Sequence, residues 1–311
     1  MKKIVIALLL TCVCSITFAQ TFKADTSLVF TATPEKQDSF FSKHFPPFLA
    51  VYQKEGKTLV VLGAIHHLQS VPVVHYAFEQ YNPQIALIER EPGQSFGGKC
   101  TEAEDAYTAA LSAKNNIPLV RADLNLEQQW KYAKKNGFSY EDFQMLWMLR
   151  NAYAFAEETG KQTSATQEIN DYKRNTHNPA WGELFTESRL LAYFQQYYGQ
   201  DFNTTDFVQL YTKLALELPP SKWVKRTPFY RLLRQGVTNR SVFMLENITA
   251  ALNNYQVVFA EMGATHFIEI SKSLKKMLGN PRYIQADQTP TQEIWTECSL
   301  DGLQEKVLIK D

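Results

Sequence analysis

Two short apolar runs near opposite ends of the chain close on the same phrase. Leu59-Val60-Val61-Leu62 runs into Gly63-Ala64-Ile65-His66, and Val257-Val258-Phe259-Ala260 leads through Glu261-Met262 into Gly263-Ala264-Thr265-His266. Apolar runs of this length, rich in β-branched residues, read as buried strands, and a glycine at the end permits a tight turn. Ligands of open α/β sheets sit beyond the carboxyl ends of the strands. If both strands share one sheet, His66 and His266 can face a common site; otherwise each histidine caps its own turn.

The chain begins with Met1-Lys2-Lys3, an apolar stretch over 4–10 and Thr17-Phe18-Ala19, the pattern of a secretory signal peptide over residues 1–19. Cys12 follows Thr11 and Cys14 follows Val13, which does not suit a lipoprotein anchor. No later stretch reaches the roughly 18 apolar residues needed to span a bilayer. The expectation is an exported protein, periplasmic or secreted. Taking 19 residues from 311 leaves 292, enough for one large α/β domain or a domain with a substantial insertion. The 32 basic and 32 acidic residues become 30 and 32 once Lys2 and Lys3 are gone, a charge of −2 that argues against nucleic-acid binding. Cys100 and Cys298 would remain in an oxidising compartment, either paired or as two thiols.

The pattern predicts an α/β fold with a central mixed or parallel sheet built from two related halves and a large helical insertion between them. A polar lead-in covers 20–42. The first half, 43–125, carries strands over 48–53, 58–62, 85–89 and 117–120 and helices over 71–81 and 101–114, with Thr101 and Glu104 spaced as a capping box. The insertion, 126–235, carries helices over 127–136, 140–159, 183–198 and 205–217 and many aromatics, among them Trp130, Trp147, Tyr153, Trp181, Tyr193 and Tyr211. Aromatics at helical spacing are core or else line an apolar groove or a haem pocket. The second half, 236–311, starts with a helix capped by Thr238 or Asn239, followed by a strand over 256–260, a helix over 266–278 and a strand over 282–286.

The strand ending at Ile88 is followed by Glu89-Arg90-Glu91-Pro92. Two imidazoles with one or two carboxylates suffice to hold Zn, Mn, Fe or Co, and two histidines alone would hold such an ion weakly. Glu89 is the first candidate as ligand or general base, and Glu91 suits either role; alternatively both cap the next helix at the surface. Arg240 could reach a substrate carboxylate or a developing oxyanion, or form a surface salt bridge. Glu261 could bind the ion or orient His266. Asp123 is a supporting acid or a helix N-cap. His67 reads as rim, His75 as structural, and His44 and His177 as exposed.

His-Glu-x-x-His, Gly-x-Ser-x-Gly and Walker sequences are all missing, which disfavours zincin proteases, serine hydrolases and P-loop NTPases. The ordered set Gly63-x-x-His66, Glu89, Asn239-Arg240 with Met244, and Gly263-x-x-His266 resembles the Tiki/TraB superfamily, which takes in GumN-type proteins, ChaN-like haem-binding proteins and erythromycin esterases. The resemblance spans most of the mature chain and implies a centre of His66, His266 and Glu89 with Arg240 beside it. Tiki-type members of that superfamily look like metal-dependent proteases, the esterases open a macrolide ring, and ChaN-like members bind haem. The Glu-Arg-Glu-Pro segment departs from the family pattern. The leading expectation is an exported hydrolase of peptide, ester or amide bonds, in which His66, His266 and Glu89 hold a divalent ion, Glu91 or Glu261 moves the proton and Arg240 stabilises charge. The alternatives are a haem- or iron-binding uptake protein and a scaffold without chemistry.

Overall fold

The structure is a computed structural model that describes residues 21–65, 68–89, 104–216, 220–289, 300–306 and 308–309. The signal-peptide reading, His66, His67, Glu91, Cys100, Thr101 and Cys298 all lie outside the described residues. No helix among the described residues is long and apolar enough to cross a membrane.

The fold is α/β around a seven-stranded mixed sheet. In chain order the strands are β1 (Phe48–Lys54), β2 (Lys57–Ala64), β3 (Ile85–Ile88), β4 (Leu119–Arg121), β5 (Val257–Gly263), β6 (Arg282–Gln285) and β7 (Glu305–Lys306). Their spatial order is β6-β1-β2-β5-β3-β4-β7, with β1 antiparallel to β2 and β6 and the remaining pairs parallel. The strand from the end of the chain therefore sits at the centre, between two strands from its beginning. The two Gly-x-x-His strands are direct neighbours: β2 and β5 run parallel, with Ala64 opposite Gly263.

Alternation along the strands sorts the core into two faces. Val60, Leu62, Ala86, Ile88 and Phe259 pack under α2 (Val71–Tyr81) and α3 (Glu104–Lys114). Leu59, Val61, Leu87, Val258, Ala260 and Met262 pack under α10 (Pro228–Asn254) and α11 (Ala264–Leu278). Gly63 is needed for close packing rather than for a turn. The strand continues past it to Ala64, and a Cβ there would lie 2.3 Å from Cζ of Phe48, whose ring meets Phe267 edge-on at 5.3 Å.

The residues after β4 form a separate helical core of α4 (Leu126–Lys135), α5 (Tyr140–Thr159), α6 (Ala165–Asn175), α7 (Glu187–Tyr198), α8 (Phe207–Tyr211) and α9 (Lys222–Arg226). Trp130, Tyr193, Phe194 and Phe202 are buried in it and serve as core, while Trp147 and Trp181 are partly buried and line an open cleft. Three expectations are corrected. The helix expected over 205–217 breaks into α8 and a π-helical turn, Thr212–Leu216. α6 falls where no helix was predicted, because its polar sequence hides a narrow buried stripe of Ala165, Glu168 and Tyr172. The boundary expected at 235 falls inside α10, which starts at an N-cap on Thr227 rather than on Thr238 or Asn239.

That uninterrupted helix positions the site. At about 1.5 Å per residue its 27 residues span roughly 40 Å. Its first turns, with Phe229 and Leu232, belong to the helical core, and its last turns, with Ile248 and Leu252, belong to the sheet. Asn239, Arg240 and Ser241 ride at the crossing between the two. The lead-in is also structured: α1 (Pro34–Phe41) forms, Phe22 is buried, and its N–H donates to Asn253 Oδ1 at 2.7 Å.

Candidate active site

Three strand ends and one helix supply the described side chains at the carboxyl edge of the parallel strands. Glu89 directly follows β3, Asp123 lies two residues past β4, and His266 stands in the first turn of α11 directly after β5. Arg240 and Ser241 come from the middle of α10.

Arg240 ties the acids together. Its Nε donates to Asp123 Oδ1 and Oδ2 at 3.0 and 2.8 Å, and its Nη2 donates to Glu89 Oε1 at 2.6 Å while lying 2.6 Å from Asp123 Oδ2. Burial by itself lowers the Arg240 pKa, but the charges of Asp123 and Glu89 outweigh it and carry the net shift upward, so the guanidinium is permanently charged. The surface salt bridge considered from sequence is therefore a three-group cluster in which both acids are buried and the arginine is partly buried. Its Nε and Nη2 are occupied, and Nη1 is the nitrogen left without a bond to a described residue. Asp123 also accepts the Leu124 N–H at 2.7 Å; the cap of α4 is Asn125, not Asp123. Glu89 Oε2 accepts the N–H of Gly263 at 2.7 Å, which locks the end of β3 to the entrance of α11.

His266 is buried and its two nitrogens have different neighbours. Ser241 donates its hydroxyl proton to Glu269, a fully buried carboxylate one turn further along α11, and Ser241 Oγ lies 2.7 Å from His266 Nδ1. With the hydroxyl proton committed to Glu269, the serine oxygen accepts from Nδ1–H. Nε2 faces Glu89 Oε1, 3.7 Å away. The other oxygen of Glu269 accepts the N–H of Ala32 at 3.0 Å, so the lead-in segment braces the relay.

Glu261 takes a different place from the one expected. By alternation it points to the α2 and α3 face, where Thr108 donates to its Oε2 at 2.6 Å. The groups that orient His266 are Ser241 and Glu269 instead. The physical reason is the strand period of two, which turns Glu261 away from α11. His75 is structural, bonded to Tyr107 at 2.6 Å and Glu79 at 3.0 Å. His44 and His177 are partly buried rather than exposed: His44 stacks on Tyr283 with ring centres 3.7 Å apart, and His177 Nδ1 lies 2.9 Å from the Tyr140 hydroxyl.

Sequence reasoning found Glu89, Arg240 and His266 and missed Ser241 and Glu269. Both were accessible in principle, Glu269 as the i+3 partner of His266 on one helix face and Ser241 as the neighbour of Arg240. Among the described residues no group of three His, Cys, Asp or Glu side chains is arranged to hold a metal ion. His266 Nε2 and Glu89 Oε1 could both reach one ion, since two donors each about 2.0 to 2.2 Å from a metal can stand this far apart. Comparison of the chain with protein-family models, curated proteins and solved structures finds no match.

Proposed function

We propose that the chain is an exported hydrolase of peptide, ester or amide bonds, dependent on a divalent ion, of the kind the Tiki/TraB resemblance implies. The observation that carries this reading is the placement of His266: Nδ1 is held by Ser241 Oγ, which Glu269 braces, and Nε2 stands 3.7 Å from Glu89 Oε1. A buried imidazole oriented by a carboxylate through its far nitrogen is how proteins prepare a metal ligand or a general base. His266 and Glu89 would hold the ion, and His66, two residues beyond Ala64 in the sequence, is the candidate third donor. Zn, Mn, Co or Fe bound there would supply Lewis acidity toward the scissile carbonyl and toward water.

The chain's own residues account for the remaining tasks. Glu89 is held in place by Arg240 and the Gly263 N–H. Arg240 offers Nη1 to charge developing on the carbonyl oxygen. Glu91 is the candidate for moving the proton. The haem-binding alternative loses the support of Trp130, Tyr193, Phe194 and Phe202, whose rings are used in the insertion's own core.

The test is elemental analysis together with hydrolysis of chromogenic esters and fluorogenic peptides in the presence of Mn, Co or Zn. Purified wild-type protein is expected to bind about one ion per chain and to hydrolyse at least one substrate in its presence, and His266→Ala to lose both. A wild-type protein without bound metal and without metal-stimulated turnover sinks the reading; a Soret band on adding haem would replace it with the uptake role.

A further inference from the structure

Residues 213–234 gather charge of one sign in a chain whose basic and acidic totals are equal, at 32 each. They hold Lys213, Lys222, Lys225, Arg226, Arg231 and Arg234 against one acid, Glu217. Lys213 stands on the π-helical turn, Lys222, Lys225 and Arg226 on α9, and Arg231 and Arg234 in the first turns of α10. All are exposed except Arg234, which is half-buried, and none forms an ion pair with a described residue.

What these cations meet within the protein is aromatic. Lys213 Nζ lies 5.0 Å from the centre of the Trp223 ring, Arg231 Cζ 5.3 Å from that of Phe138, and Arg234 Cζ 5.4 Å from that of Tyr230. A ring face orients a cation without cancelling its charge. Val224 is fully buried and pins α9 to the helical core, so Lys222, Trp223, Lys225 and Arg226 ride together on one outer ridge. Like charges on neighbouring side chains repel, and at about 0.1 M salt each acts over roughly 10 Å. A counter-surface of opposite charge relieves that repulsion.

We propose that this ridge docks the protein on a bilayer surface carrying anionic phospholipid, with the six cations meeting phosphate headgroups and Trp223 and Tyr230 seated at the interface. Indole and phenol rings settle where hydrocarbon meets headgroup, and basic side chains beside them meet the headgroup charge. The balanced charge of the whole chain disfavours a nucleic acid as the occupant. Docking carries the candidate centre with it, because Arg240 follows Arg234 on the same helix, roughly 9 Å further along the axis. The assignment concerns attachment and holds whether or not the centre hydrolyses anything.

Sedimentation of the whole chain with vesicles tests it, using phosphatidylcholine alone and phosphatidylcholine with about 30 % phosphatidylglycerol, in about 0.1 M salt. The anionic vesicles are expected to bind about tenfold or more tighter, and about 1 M salt to abolish the difference. Lys222→Ala, Lys225→Ala and Arg226→Ala combined should lose about tenfold or more of the binding. Removing three exposed cations elsewhere, by Lys43→Ala, Lys161→Ala and Lys173→Ala combined, should leave it unchanged. Trp223→Ala should weaken binding without altering its salt dependence. Equal binding of the two vesicles by the wild type, binding to neither, or equal losses in the two triple variants overturns the proposal. Tighter binding of a DNA duplex or of polyglutamate than of the anionic vesicles overturns the assignment to lipid. Should the first triple variant fail to fold by circular dichroism, Lys222→Gln with Lys225→Gln is read in its place.

Discussion

Ser241 Oγ lies 2.7 Å from His266 Nδ1 and gives its own proton to Glu269, so a fully buried carboxylate orients the imidazole through a serine hydroxyl. Removing the hydroxyl removes the partner beside Nδ1 and strands a buried acid. Ser241→Ala is expected to weaken metal binding or turnover by about 10- to 100-fold. The same change should cost roughly 1 to 3 kcal/mol of stability through the unsatisfied Glu269. Metal titration beside urea denaturation separates the two effects, and unchanged metal affinity with reduced stability would leave the relay a purely structural device.

Arg240 neutralises two carboxylates at once. Arg240→Met leaves Asp123 and Glu89 buried side by side without their cation, which should destabilise the fold by about 3 to 5 kcal/mol. Arg240→Lys should recover only part of this, because an ammonium cannot reproduce the forked contacts to both acids. Chemical denaturation of the two variants checks the order.

Glu168, on α6 of the insertion, is 1 % exposed, and its Oε2 has no hydrogen-bond partner among the described residues. Burial, opposed by the Thr163 hydroxyl and reinforced by Asp171, pushes its pKa up to about 7. A carboxyl raised in the folded state carries no penalty below the unfolded value near 4.5. As pH rises, the unfolded chain ionises first, and stability falls until the folded carboxyl also ionises near 7. Glu168→Gln should therefore gain little at pH 4 and up to roughly 3 kcal/mol at pH 8, since a tenfold change in proton affinity is worth about 1.4 kcal/mol. A gain that does not vary with pH would contradict this.

Gly63 lies under the Phe48 ring. Gly63→Ala should cost about 1 to 3 kcal/mol by overpacking, and Phe48→Leu in the same chain should recover part of it. Additive losses in the double variant would show that the ring is not what requires the glycine.

The continuous apolar runs of β2, β3 and β5, and the helical period of residues 71–81 and 140–159, were legible because burial of both faces of a strand, or of one face of a helix, writes itself into local spacing. The same logic placed Glu89 and His266 at strand ends. α6 was illegible because only three of its eleven side chains are buried, and the start of α10 because Pro228 reads equally well as a loop residue or as the first residue of a helix.

What the sequence determined by itself is an α/β chain with two matched strand ends and a candidate glutamate between them. The tertiary structure alone decided that β5 inserts between β2 and β3, that Arg240 spends its charge on Asp123 and Glu89, that Ser241 and Glu269 stand behind His266, and that Glu261 faces the other way. These are pairings between residues up to 199 positions apart, as between Thr58 and Val257. Local spacing carries no record of such contacts, because they exist only once strand order and helix crossing bring the partners together.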